Sequence, residues 1–245
     1  MEEKNNYELV ELPSMGQCYP TDSPLRNGKV AISYLTAMDE NIIMSPSALG
    51  NEDVINSVIN NKFIDKNIDI NTFVSGDREA ILLWLRCTGY GKDFNVTIRK
   101  TNNDNEEFST VIDLSQIKNR EFLLNGDKNG HFPYFMKNGD IIKFKYPTHK
   151  EIDKWLNEIF INESEQYGII INKWLKKLTF SINENEDRAV VENYIDDMKI
   201  SQIFSYYDFI QKNAPSIENN ISVDFPDNTT KNVLLQINEK TLFVF

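Results

Sequence analysis

The sequence predicts an α+β protein: an N-terminal mixed α/β part with hairpins over about 1–148, a helical part over 149–214 and a C-terminal β element over 215–245. Three observations predict it. Apolar residues alternate with period two in pairs around polar tips, apolar stripes of period 3.6 crowd into 149–212, and alternation returns after Ala214 and Pro215. The length of 245 residues, with 40% hydrophobic and 11% aromatic residues, supplies a sizeable core.

The opening stretch Leu12 to Pro20 combines Pro, Gly and an aromatic, which suits an extended surface arm with turns. Asn27-Gly28 signals a turn, and Val30, Ile32 and Tyr34 then share one face of a strand over 29–35. Ser45 and Pro46 are read as cap and first helical residue, with Val54, Ile55, Val58, Ile59 and Phe63 at helical spacing over 51–63. Ser75, Gly76 and Asp77 put short polar side chains before a nearly all-round apolar helix from Arg78 to Thr88, which Gly89-Tyr90-Gly91 ends. Phe94, Val96 and Ile98, a polar tip at 102–106 and a return over 108–114 form a hairpin.

Asn138-Gly139 lies between 132–136 and 141–146 and predicts a second hairpin with a two-residue turn. Thr148 and Glu151 match a capping box ahead of the stripe Ile152, Trp155, Leu156, Ile159 and Phe160. Further stripes are Tyr167 to Leu178, Val190 to Met198 and Ile203 to Ile210, so 149–212 reads as a helical subdomain. Ile221, Val223 and Phe225 pair across 227–232 with Val233, Leu235 and Ile237, and 241–245 reads as a last strand.

Composition narrows the function. A net charge of −11 leaves no cation excess for a nucleic-acid groove, and no apolar run reaches the length of a membrane span. The N-terminus lacks a basic region followed by an apolar stretch, so a cytoplasmic, reducing setting is expected. The segment from Asp65 imitates a calcium loop but carries Ile70 and Gly76 where Gly and a bidentate Glu are required. Cys87 sits on the most apolar helix, where burial raises a thiol pKa and disfavours a nucleophile. Cys18, His131 and His149 complete the soft and imidazole donors, too few and too scattered for a metal centre. Acidic pairs such as Asp196-Asp197 read as solvated faces, and so does the basic patch Lys173, Lys176 and Lys177 beside Trp174. No G-x-S-x-G, phosphate loop or H-E-x-x-H is present, so neither an enzyme nor a cofactor is expected.

Several strings occur in order: Leu12 to Pro20, Gly28-Lys29-Val30, Tyr34 to Ile42, Ser75 to Ile81 with Arg86, and Thr88-Gly89-Tyr90-Gly91. This set, over 12 to about 114, resembles the baseplate hub or hub-assembly proteins of T-even-like contractile-tailed bacteriophages. Gly139 to Thr148 also resembles a family position. Members of that family carry Cys pairs suggestive of a zinc ribbon, whereas the tips at 102–106 and 227–232 hold no cysteine, so no metal loop carries over. The resemblance implies a structural or assembly role in the tail baseplate, with other tail proteins as partners and no nucleic acid or membrane. It places the protein in the virion, or in the host cytoplasm during assembly, in an oligomeric state set by that assembly. Alternatives are a non-virion chaperone for the hub and, more remotely, a small hydrolase of the lytic machinery. The candidate protein interface comprises Leu12, Pro13, Met15, Tyr19 and Pro20 on the arm and Leu242, Phe243, Val244 and Phe245 at the terminus, because aromatic, Met and apolar anchors are enriched in interfaces.

Overall fold

The computed structural model describes residues 6–48, 51–99, 107–159, 167–225 and 230–243. It has the α+β architecture the pattern predicts, with small antiparallel sheets set among helices. Strands β1 (Tyr7–Glu11) and β2 (Lys29–Ser33) pair with Val10 opposite Val30. Val10, Val30 and Ile32 point into the core, as period two requires.

Helix α1 (Ala37–Ile43) was not legible as an apolar stripe. It forms because Thr36 and Asp39 make a reciprocal capping box, and Lys62 pairs with the same Asp39. Ser45 and Pro46 therefore lie in the turn after α1 and do not start α2 (Glu52–Lys62), which Asn51 caps by accepting from the Asp53 amide at 3.1 Å. Helix α3 (Ser75–Tyr90) starts one turn earlier than expected and runs to Gly91, whose φ of 84° ends it. Ser75, Gly76 and Asp77 are helical and supply no cap, which frees the Asp77 carboxylate for other partners.

The expected hairpin follows as β3 (Asp93–Arg99) and β4 (Glu107–Asp113), with Val96 opposite Thr110, while its tip lies outside the described residues. Strands β5 (Phe132–Phe135) and β6 (Ile141–Phe144) form the second hairpin, with a longer turn than Asn138-Gly139 suggested. The Met136 amide donates to Asp140 O at 2.8 Å and the Gly139 amide to Met136 O at 3.0 Å. The loop is thus the three residues Lys137 to Gly139, with Gly139 at φ 93° in the left-handed position.

Thr148 and Glu151 cap α4 (His149–Ile159) as predicted, and α5 (Tyr167–Leu178) follows, with Phe160 outside the described residues. The segment 149–214 is not wholly helical. Strand β7 (Thr179–Ile182) pairs with β6, and a left-handed turn at Asn183 and Glu184 lets Asn183 extend that ladder to Ile141. Asp187 caps α6 (Arg188–Asp197), and α7 (Ile200–Lys212) stops before Pro215. Strands β8 (Asn220–Asp224) and β9 (Thr230–Leu234) form the expected pair with Ile221 opposite Val233, but β9 begins within the expected tip and ends before Leu235 and Ile237.

The C-terminus departs from expectation: 239–243 is helix α8 (Glu239–Phe243), not a strand. Asn238 and Thr241 exchange side-chain bonds with each other's amides, at 3.1 and 3.0 Å, and this reciprocal cap turns the chain. The buried side chains form one continuous cluster from β1 to α8, including a nest of Phe122, Phe132, Phe144 and Tyr146 in edge-on contact.

Close backbone approach decides two glycines near the arm. A Cβ on Gly16, at φ 78°, would lie 2.1 Å from Arg26 O, and one on Gly126 would lie 2.0 Å from Gln17 O. Gly126→Ala should therefore lower stability by about 1–3 kcal/mol in urea unfolding. Gly168→Ala, where a Cβ meets nothing within 4 Å, should be neutral or mildly stabilising in the same assay.

Candidate functional site

The arm after β1 does not lie loosely on the surface. Ser14 donates to Asp77 through its amide at 2.7 Å and its hydroxyl at 2.5 Å, and Tyr19 donates its phenol at 2.6 Å. Both hydroxyl oxygens are already acceptors, from the Gly16 amide at 3.1 Å and the Val74 amide at 3.1 Å, so their protons must point at Asp77. Three donors thus converge on a wholly buried carboxylate that offers only lone pairs. Burial outweighs those donors and pushes Asp77 up to about 6. Arg26 closes the other side of the arm by donating to Tyr19 O at 2.7 Å and Asp127 O at 3.2 Å.

One residue on, Arg78 anchors the C-terminus. It is 4% exposed, pairs with Glu239 of α8, and donates to Glu52 at 2.9 Å and to Asn56 at 2.8 Å. Glu52 in turn meets His149 at 3.0 Å. A buried guanidinium with planar donors to three partners ties α2, α3 and α8 together.

The expected interface residues divide accordingly. Leu12, Pro13 and Tyr19 are buried in the protein's own core, whereas Met15 and Pro20 are exposed. Leu242 and Phe243 are buried too, Phe243 edge-on to Tyr90, because α8 folds its apolar face onto α3. They are not available as an added strand in this fold. Val244 and Phe245 lie outside the described residues. Met15 stands out: it is 63% exposed and holds a φ of 52°, a left-handed conformation unusual for its side chain.

The other chemical candidates are engaged structurally. Burial pushes the half-buried Cys87 thiol up, and likewise Cys18. His131 stacks on Phe180 at 3.9 Å, and burial lowers its pKa. Lys173 donates to Ile159 O at 3.2 Å, Lys176 pairs with Asp196 and Lys177 with Glu158. Sequence reasoning passed over Asp77 and Arg78 as anchors. The available signal was two adjacent charges at the head of an apolar helix, which must find partners when buried.

The surface carries apolar side chains on several elements. Met38 and Ile42 project from α1, Phe135 and Ile141 face each other across β5 and β6, and Ile200 and Phe204 lie one turn apart on α7. A cleft of about 370 Å³ opens among α3, α5 and α7, floored by Trp174, Leu178 and Ile210.

Among the described residues, then, the buried charges bind parts of the chain to one another, and the apolar surplus faces outward. The class is an α+β protein cross-linked from within. The family model described as T4 bacteriophage base plate protein matches residues 4–242, and the chain belongs to that family. No curated protein and no solved structure was found to match it.

Two variants test this geometry. Asp77→Asn replaces one acceptor oxygen with a donor and should cost about 1–3 kcal/mol. The pH dependence has a definite sign. A carboxyl whose folded pKa is about 6, against an ordinary 3.8, binds more protons when folded. The stability of the native chain relative to this variant should be greatest below about pH 4, fall as pH rises to about 6, and flatten above it, as followed by denaturant midpoints across pH. Phe243→Ala should cost about 3–5 kcal/mol, measured by thermal or urea unfolding, because the ring is core and not a free anchor.

Proposed function

We propose that the protein is a structural or assembly component of the phage tail baseplate, in its hub region, working through contacts with other tail proteins and without a reaction centre of its own. The observation that carries this reading is membership of the baseplate family over residues 4–242. The hub placement draws support from the ordered set of strings between Leu12 and Gly91 that resembles hub and hub-assembly proteins. The contact mechanism draws support from exposed apolar side chains such as Met38, Phe135 and Ile200, which folding alone leaves in water. No helix of the described residues is long and apolar enough to cross a membrane.

Mass spectrometry of purified particles tests the proposal: peptides of this chain at stoichiometric level are expected. Their absence from mature particles, with presence in assembly intermediates, identifies a departing chaperone instead. Arm contacts are tested by Met15→Asn, since Asn adopts left-handed backbone more readily than Met. The variant should fold with unchanged or slightly higher stability, yet be incorporated into particles less efficiently. Normal incorporation removes Met15 from the interface.

A further inference from the structure

We propose that three adjoining clefts beside α2, α3 and α8 form a trough for an extended basic segment of a neighbouring protein, with Glu79 receiving one of its cationic side chains. This rests on the reading that the protein works through contacts, and adds the chemistry of one partner.

The clefts adjoin through shared walls. The first, about 270 Å³, includes Asp53, Asp69 and Asp153. Glu52 and His149 line both it and a middle cleft of about 320 Å³, and Glu79 lines both the middle cleft and a third of about 540 Å³. Carboxylates outnumber permanent cations along the walls. Glu52, Asp53, Asp69 and Asp153 lie towards one end and Glu79, Glu218 and Glu239 towards the other, against Arg78, Arg120, Lys150 and Lys240. A chain of net charge −11 thus concentrates negative potential between low-dielectric walls, where it attracts cations most strongly.

Glu79 is the group that lacks an answer. Glu52 and Glu239 are paired with Arg78, and Asp69 accepts from Asn60 at 3.0 Å. Burial alone raises Glu79, to about 7, with neither a donor nor a cation acting on it. An ammonium or guanidinium entering the trough would restore the interaction that burial removed.

Arg78, which also lines the middle cleft, is 4% exposed and already held by Glu52, Asn56 and Glu239. An extended peptide brings the missing cationic side chain to Glu79. A bare metal ion suits the site less, because no group of three His, Cys, Asp or Glu among the described residues could hold one.

The test uses the full-length protein and a fluorescein-labelled heptapeptide, Gly-Arg-Gly-Lys-Gly-Arg-Gly, followed by fluorescence anisotropy. Saturable binding that weakens with salt is expected. Glu79→Gln should weaken it about tenfold or more while leaving thermal stability unchanged. Asp22→Asn, which removes an exposed charge on the arm outside the trough, should weaken it less than about twofold. Glu218→Gln, at the exposed rim, provides a second reading should Glu79→Gln fail to fold, and its effect should exceed that of Asp22→Asn. Absence of saturable binding overturns the proposal. So does equal weakening by substitutions inside and outside the trough, which would show net charge acting alone. Either failure leaves particle incorporation of the chain, and hence the baseplate role, to stand or fall separately.

Discussion

The burial of Asp77 constrains the molecule more than any other single feature. A carboxylate removed from water at the head of α3 needs donors, and the nearest are Ser14 and Tyr19 on the arm. Their hydroxyls receive backbone amides in turn, so the arm, the start of α3 and the charge form one satisfied network. Satisfying it brings main chain against main chain. Gly16 and Gly126 sit where that crowding is greatest, because a Cβ there would collide with Arg26 O and Gln17 O.

Arg78 extends this logic to the far end of the chain. Adjacent residues on a helix point in different directions, so Asp77 reaches the arm while Arg78 reaches α2 and α8. Two neighbouring charges therefore hold segments more than a hundred residues apart. Removing either partner of such a pair leaves an unmet buried charge, so each contact is worth more when broken than when formed. Inside, Asp77 and Arg78 are answered by other parts of the chain, whereas apolar side chains on α1, β5 and α7 remain exposed.

Much of the fold was legible locally. The strand pairs, the capping box at Thr148 and the stripes of α4 to α7 follow from periods and caps that depend on a few consecutive residues. Four of the strands and helices were not, the first being β1 over Tyr7–Glu11, which is set by pairing with β2. Helix α1 rests on one reciprocal cap and a single pairing with Lys62, β7 is a short strand whose partner is β6, and α8 depends on Asn238, Thr241 and the distant Arg78. The interface residues were legible only in type. Leu12, Tyr19, Leu242 and Phe243 are the apolar and aromatic residues a docking surface uses, and equally those a core uses.

By itself the sequence determined the fold class, the order of most elements and the resemblance to baseplate proteins, because each is written in spacing along the chain. Tertiary structure alone decided which apolar residues stay in water, which charges are answered, and where Glu79 is left without a partner. Those outcomes depend on groups remote in sequence arriving at the same place, and a one-dimensional pattern carries no record of such meetings.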